Sequence, residues 1–385
     1  MNAAQENNPG VQAAYNRWQA ALRKAEVVKT LPDPRLTYRY FIESVETRVG
    51  PQEHKAGISQ QFPWPGKLDA RQKAQLARAD STYEQYRAAR LKLAYDLRRA
   101  YSRAWLLHRE TELMKQNIQL LKNIEGVAES RVRAGASAAE VIKAQLERAQ
   151  LEERLQTFDE KRIPINAELN AALNRDSTSP LPTISQLDFR SIDPAFVPSI
   201  QTNPDLMALV HELSGSESGI REAKKEGWPN LTLGVEWIGI GDASAPVSDS
   251  GKDAWMAGIG VSLPLWRGKH NADIERAAFM RNTFDFARQQ KANVLKTKLE
   301  AAAADYREAE RKIALYRDTI LPQAGQLLKL SETDYRSGKA SFLDLIDTQR
   351  SILRYQLELA RARADSQIHL AKIEMLTGKE LNHEK

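Results

Sequence analysis

The side chains that could carry out chemistry are scattered along this sequence rather than grouped. There is no cysteine among its 385 residues, which excludes a disulfide framework, a thiolate metal site and a cysteine nucleophile. The histidines are His54, His108, His211, His270, His369 and His383. No two of them have the spacing of zinc ligands, and the abundant carboxylates lie on charged helical segments that we interpret as solvated faces. The sequence therefore predicts no enzyme, no metal site and no cofactor.

Composition and charge restrict where such a chain works. Charged residues make up 28% of it, the mean hydropathy is −0.54, and no apolar run reaches the roughly 18 to 20 residues of a spanning helix. Any membrane insertion must therefore use β-strands, whose alternating pattern keeps the average hydropathy low. The net charge of +6 is spread over mixed-sign helices, so nucleic acid is not an expected partner. Residues 1–10 lack the layout of a secretory signal, so either the protein is cytosolic or the sequence starts after a removed leader, and we favour the second interpretation.

The two halves of the chain repeat one order of landmarks, namely an Asn-Pro pair, a Gly-Lys pair and a later glycine. The landmarks begin at Asn8, Gly66 and Gly135 in the first half, and at Asn203, Gly268 and Gly338 in the second. The last two landmarks are 69 residues apart in the first half and 70 in the second. This agreement predicts an internal two-fold repeat, with a first copy over 1–176 and a second over 201–385. Prolines at 180, 182, 194 and 198 predict an extended linker over 177–200, with room for short strands.

Polar and apolar residues alternate in three segments, which is the period of a β-strand. These segments are residues 35–41, 231–237 and 255–265, and a weaker fourth covers residues 56–62. Each half thus offers two strands, joined by a polar loop at 46–53 or 241–253. Several aromatic residues are placed for the interfacial girdles of an outer membrane barrel. They are Tyr38, Tyr40, Trp64, Trp237, Trp255 and Trp266.

Four strands are too few to form a barrel on their own, because the smallest outer membrane barrels need about eight. Several chains would therefore have to contribute strands to one barrel. The alternation then places Val235 and Ile259 on the lipid face and Ser262 on the lumen face. Two ordinary hairpins packed on a soluble core remain the alternative interpretation of these strands taken alone.

Long helices with two contact faces are the other predicted element. Residues 68–124 contain neither glycine nor proline, which corresponds to roughly 85 Å of helix. A coiled-coil seam is predicted at Leu93, Leu97, Ala100, Ala104, Leu107, Met114, Ile118 and Leu121, and again at Leu353, Leu357, Ala360 and Ala364. Gly135 and Gly338 are predicted to form the turn of a helical hairpin in each half, and Pro164 to kink or end the first returning helix. A soluble coiled-coil scaffold or adaptor is the alternative for these helices.

The most specific local patterns are Gly260 to Leu265 with Gly268 after it, and Tyr335 to Gly338 followed by residues 344–347. With the order of the landmarks, they resemble the TolC-like outer membrane efflux protein family over nearly the whole chain, from Asn8 to about Gly378. The resemblance implies an α+β membrane protein. Its trimer would form a 12-stranded β-barrel, with four strands per chain, continued by a long α-helical coiled-coil barrel. It also implies a passive duct in the outer membrane lipid that works with a periplasmic adaptor and an inner membrane pump, of the resistance-nodulation-division type.

Site residues follow from the resemblance position by position. Asp344 and Asp347 match acidic residues that ring the constriction of the tunnel, and Tyr335 matches an aromatic that helps to hold its closed state. Gly135 and Gly338 match the helical tips. The alternative for the two aspartates is a solvated helix start, where negative charge is favourable. Residues 62–67 resemble members that serve heavy-metal pumps, which favours metal ions as cargo.

Overall fold

The computed structural model describes residues 2–187, 189–190, 192 and 198–379. The helices are α1 Asn2–Asn7, α2 Pro9–Val27, α3 Lys67–Arg133, α4 Ala139–Ala172, α5 Pro204–Glu226, α6 Arg267–Leu315, α7 Leu321–Arg336 and α8 Phe342–Thr377, with a π-helical turn at Tyr316–Ile320. The strands are β1 Arg35–Thr47, β2 Gly50–Phe62, β3 Leu231–Ile240 and β4 Ala254–Val261. Helix, two strands, long helix and returning helix thus follow one another in both halves. Among the described residues, no helix is long and apolar enough to cross a membrane.

The chain divides into two compact units. A helical unit comprises Met1–Ala14, Gln85–Leu206 and Lys291–Lys385, and a sheet unit comprises Tyr15–Glu84 and Met207–Gln290. Each unit therefore draws its residues from both halves of the sequence. Pro194 of the predicted linker and His383 lie outside the described residues.

The sheet unit holds one antiparallel sheet of four strands in the order β1-β2-β3-β4. Directly opposite residues in such a sheet share a face, and the register places Tyr38, Ala56, Trp237 and Trp255 in one row across all four strands. The neighbouring row on the other face is Thr37, Gly57, Glu236 and Met256. The period-two pattern is therefore confirmed, with one apolar face and one polar, glycine-rich face.

The first hairpin is longer than its sequence predicts. The predicted loop at 46–53 is wrong, because β1 runs to Thr47, β2 starts at Gly50, and these two residues are paired. Charged and polar side chains fill that segment, but exposed strand positions accept them as readily as a loop does. The second predicted loop, at 241–253, is confirmed, since β3 ends at Ile240 and β4 begins at Ala254.

The helical unit is held by packed apolar seams. The predicted seam positions Ala100, Met114 and Leu121 of α3 are buried, as are Leu353 and Ala360 of α8, so the coiled-coil pattern is confirmed there. At 1.5 Å per residue, the 67 residues of α3 extend about 100 Å. The buried apolar residues of this unit form several separate clusters along its helices.

Prolines have different effects in the two long helical segments. Pro164 lies inside α4, which continues to Ala172, so of the two predicted alternatives it does not end the helix, and a kink stays a prediction. The π-helical turn of the second half ends two residues before Pro322, whose missing N–H removes one bond of the helical ladder. Within the described residues of 177–200, neither helix nor strand is present, and the short strands considered there are not found.

Candidate functional site

Glycines form the two turns that join long helices to returning ones. Gly135 has φ +99° between α3 and α4, and Gly338 has φ +80° between α7 and α8. Both values lie in the left-handed region, where a side chain is strained and glycine is not. The predicted hairpin turns are therefore in place. Their position at the tips of a tunnel stays a prediction.

Tyr335, close to the second turn, is the largest fully buried side chain of the chain's described core. Its hydroxyl donates a hydrogen bond of 2.7 Å to Glu140 Oε2 in the first turn of α4. The guanidinium of Arg131 lies 4.3 Å from the centre of the Tyr335 ring, and its Nη1 donates to the Tyr335 carbonyl at 2.6 Å. Phe342 meets the ring edge-on at 5.8 Å. The two helical hairpins of the helical unit are thus tied together next to their turns.

Burial and the adjacent Glu140 carboxylate both raise the pKa of the Tyr335 hydroxyl, since each disfavours a phenolate there. The hydroxyl therefore remains protonated at neutral pH and acts as a donor. A donor is what the bond to a carboxylate requires. This tie is thus insensitive to ionisation of the tyrosine over the physiological range.

The two predicted constriction aspartates lie at the start of α8. Asp344 forms a capping box with Ser341, whose amide and hydroxyl donate to its Oδ2 at 3.2 and 2.8 Å. Asp347 is exposed and pairs with Arg350 at 3.1 Å, and Arg350 also pairs with Glu147 of α4. Both carboxylates therefore have local roles at a helix start. A constriction role depends on neighbouring chains and stays a prediction.

The sequence contains no signal for Arg131 at this site, and no gating role is assigned to Glu140 from the sequence. Glu140 comes five residues after Gly135, one position earlier than Asp344 after Gly338, and this mismatch hides its correspondence. A second missed contact is a buried hydrogen bond of 2.6 Å from Gln349 Nε2 to Asn117 Oδ1. No local pattern marks either pair, because the partners are about 200 residues apart.

Four of the six predicted girdle residues lie on the apolar face of the sheet, whereas Trp64 follows β2 and Trp266 follows β4. Tyr38, Tyr40 and Trp255 on this face are between 63% and 72% exposed, and Trp266 beyond β4 is 78% exposed. Trp237 is partly covered, and its indole N–H donates to Asp253 Oδ2 at 2.9 Å. On the opposite face Lys55 pairs with Glu236 at 2.6 Å. Large apolar groups therefore face outward while the charges pair on the other side.

No group of three or more histidine or acidic side chains that could hold a metal ion occurs in the part of the chain that the structure describes. What the site offers is an amphipathic antiparallel sheet together with long helical hairpins tied at their turns. The sequence profile of the outer membrane efflux protein family matches residues 1–175 and 198–379, and the chain belongs to this family.

Particular relatives sharpen the assignment. Nodulation protein T of Rhizobium leguminosarum bv. trifolii is 24% identical over 92% of this chain and 79% of its own length. Cation efflux system protein CusC of Escherichia coli O6:H1 is 22% identical over 83% of this chain and 72% of its own length. A crystal structure of CusC has the same fold, with a TM-score of 0.83 over 98% of this chain and 91% of that one, at 16% identity. The chain spans between 54% and 79% of the length of the curated relatives it matches.

Proposed function

We propose that the chain is the outer membrane channel subunit of a tripartite efflux system and acts as a passive exit duct. Three copies form a 12-stranded β-barrel, four strands from each, continued by an α-helical coiled-coil barrel. The observation that carries this proposal is the exposed apolar face of the sheet. Large apolar side chains that cover one whole face of a sheet mark an interaction with lipid or with another protein.

The sheet edges support assembly into a shared barrel. β1 and β4 are the edges of the four-stranded sheet, so each has one side without a partner strand among the described residues. An unpaired edge is a template for another strand. A lipid-exposed edge is not tolerated, whereas joining β4 of one copy to β1 of the next removes every edge. Twelve strands also exceed the roughly eight that the smallest outer membrane barrel requires.

The turns at Gly135 and Gly338 are the proposed docking site of a periplasmic adaptor, which links the duct to an inner membrane pump of the resistance-nodulation-division type. The tie between Tyr335 and Glu140 holds the hairpins in a closed arrangement. Asp344 and Asp347 from the three copies then crowd negative charge around the axis. Such a ring favours cations over anions.

Heavy-metal ions are the proposed cargo class. The support is the resemblance of residues 62–67 to metal-serving members and the relative whose name is cation efflux system protein. Other relatives are named for pyoverdine export and for fusaric acid resistance. Deletion of the gene should therefore lower the tolerance of its host to heavy-metal salts by several-fold, with tolerance to organic acids unchanged. The reverse pattern would reassign the cargo to organic compounds and leave the duct intact.

The test of the duct itself is separation of membranes followed by native mass spectrometry and planar-bilayer recording. We expect the protein in the outer membrane fraction, as a trimer in detergent, with discrete conductance steps. A fully soluble, elongated dimer without conductance would favour the coiled-coil scaffold instead. The Ile259→Arg variant, which charges the apolar face, serves as the control, because it should lose insertion while a soluble scaffold would tolerate it.

A further inference from the structure

The chain contains the pattern Trp-x-Gly-Lys twice, once after β2 and once after β4. The first copy starts at Trp64 and ends at Lys67, and the second starts at Trp266 and ends at Lys269. In each case the lysine lies in the first turn of a long helix, α3 or α6. The two copies therefore occupy equivalent places in the two halves. Their surroundings in the structure are very different.

The first copy is engaged mainly through its lysine, because Trp64 itself is still 39% exposed. Lys67 is only 1% exposed, and its Nζ donates at 2.8 Å to both the Trp228 carbonyl and Asn230 Oδ1. The Trp64 and Trp228 rings pack at 5.3 Å. One turn further along α3, Arg71 pairs with Glu226 at 2.6 Å. We call this set the first junction, and it fixes the start of α3 against the segment that leads into β3.

The second copy is open. Trp266 is 78% exposed, and Lys269 is exposed as well. In the segment that leads into β1, Asp33 is exposed where its counterpart Asn230 is partly buried, while Leu31 at 46% is about as exposed as its counterpart Trp228 at 53%. Leu31 precedes Pro32 just as Trp228 precedes Pro229. One half of a junction thus lies beyond β4 and the other half lies before β1, on the two edge strands of the sheet.

We infer that these two halves meet between copies of the chain, forming a second junction that closes the ring. The inference rests on the proposed trimer and names the contact that holds it. Pairing β4 with β1 of the next copy brings together the segments that β2 and β3 bring together inside one chain. In this second junction Lys269 meets Asp33 of the neighbouring copy, and Trp266 meets Leu31.

Charge complementarity supports this pairing at a third position. The residue of α6 that corresponds to Arg71 is Asp273, and the residue that corresponds to Glu226 is Lys29. Both members have changed sign, so an attractive pair is kept with its polarity reversed. Asp273 pairs only loosely within its own chain, at 3.6 Å from Arg276. Two surfaces that contact each other are expected to keep an attractive pair, whichever of the two carries the positive charge.

Because the chain has no cysteine, crosslinking can test the contact directly. The double variant Asp33→Cys with Lys269→Cys is treated with a short bis-maleimide in the assembled, detergent-extracted protein. A linker is preferable to a disulfide, because a disulfide needs Cα atoms within about 7 Å. The linker also tolerates a difference in backbone conformation between Gly66 and Gly268, of which only Gly66 has positive φ. We expect dimer-size and trimer-size products on a denaturing gel, and only monomers from each single variant.

The matched control pairs Asp33→Cys with Lys252→Cys, because Lys252 is also exposed in the loop before β4 but at the opposite end of that strand. This control should give monomers. Equal products from the control and the test pair would overturn the inference. So would monomers from the test pair in a preparation that native mass spectrometry shows to be trimeric, and the proposed duct would survive that result. A parent protein that is not trimeric under any condition would contradict both the second junction and the proposed duct.

Charge reversal is the second measurement. Lys29→Asp or Asp273→Lys alone places like charges together at the second junction and should speed dissociation of the trimer roughly two- to five-fold, the range of exposed ion pairs. The double variant gives the polarity of Arg71 and Glu226 in the first junction and should restore the parent rate. If the effects of the two single changes on the dissociation rate simply add in the double variant, and the parent rate is not restored, these two residues do not meet.

Discussion

The sheet and the helical turns follow opposite rules of burial. On the sheet, large apolar residues such as Trp255 and Ile259 are 72% and 75% exposed, while Lys55 and Glu236 pair on the other face. Beside the turns, the polar hydroxyl of Tyr335 is buried against a carboxylate and a guanidinium. The sheet is therefore adapted to an apolar surrounding outside the chain. Next to the turns, polar contacts instead form inside the chain, where the bonds of Tyr335 to Glu140 and Arg131 hold the two hairpins together.

The largest expected effect comes from charging the apolar face. Ile259→Arg should cost about 2 to 4 kcal/mol near the bilayer midplane and reduce the yield of trimer, because the guanidinium would lie in hydrocarbon. The measurement is refolding into lipid vesicles with a denaturant titration. Val235→Arg, on the same face, should behave alike.

Met256→Arg is the control on the other face, where the new charge lies opposite Glu236. It is a better control than a Ser262→Arg variant, because that change would also remove the hydrogen bond that the Ser262 hydroxyl accepts from the Asn230 backbone N–H. Similar losses for Ile259→Arg and Met256→Arg would erase the distinction between the two faces. The sheet would then be a soluble hairpin pair.

The next effect concerns the turns. Gly338→Val forces a β-branched residue to φ +80° and should cost roughly 1 to 2 kcal/mol locally, as should Gly135→Val. Hydrogen exchange should accelerate in the residues flanking the turn, and binding of the adaptor should weaken, while membrane insertion is unchanged. Gly126→Val is the control, since Gly126 lies within α3 and a Cβ there meets nothing within 4 Å. Failure of Gly338→Val to insert would place the turn in the folding core instead.

A smaller effect is expected from the hydroxyl of Tyr335. Tyr335→Phe keeps the ring volume but removes the donor to Glu140, which should cost about 0.5 to 1.5 kcal/mol and raise single-channel conductance. Since the pKa of this hydroxyl is raised above its ordinary value of about 10, its contribution is complete below that pH and declines only in stronger alkali. The difference between the parent and Tyr335→Phe should therefore be constant between about pH 6 and pH 9.

Tyr355→Phe provides the matched control, because Tyr355 packs beside Tyr316 in the same unit and its hydroxyl has no hydrogen-bond partner among the described residues. It should leave conductance unchanged. If Tyr335→Phe also leaves conductance unchanged, the tie to Glu140 stabilises the hairpins without controlling the channel.

Regular periodicity explains which parts could be predicted. Strand β3 and the start of β4 follow from alternation alone, although β4 ends at Val261 and not at residue 265. The turns at Gly135 and Gly338 follow from glycine between long apolar seams. The first hairpin was predicted too short, because polar residues near Pro51 look the same in a loop and on an exposed strand. The π-helical turn has only Pro322 as its signal.

Contacts between distant segments explain what could not be predicted. Tyr335 and Glu140 are 195 residues apart, so no local pattern joins them. The use of Asp344 as a capping residue was one of two alternatives that the sequence left open. The structure shows the capping bond, but a ring of carboxylates would involve other copies of the chain, and a single chain carries no signal for it.

The smallest structural effect is expected at the aspartates, where function and stability should separate. Asp344→Asn keeps an oxygen that can accept from the Ser341 amide, and Asp347→Asn loses only an exposed pair with Arg350, worth at most about 1 kcal/mol. Fold and trimer should therefore survive in the double variant. If the carboxylates ring the axis, their removal should weaken block by a trivalent cation and lower cation preference.

Planar-bilayer current with and without the trivalent cation is the measurement, and Asp159→Asn is the control. Asp159 forms an exposed pair with Arg162 three residues on, the same arrangement as Asp347 with Arg350, but on α4. Its loss should not change block, because the charge is far along α4 from the turn at Gly135. Unchanged block in the double Asn variant would leave helix capping and surface pairing as the only roles of Asp344 and Asp347, and closure of the duct would then depend on the buried tie of Tyr335 alone.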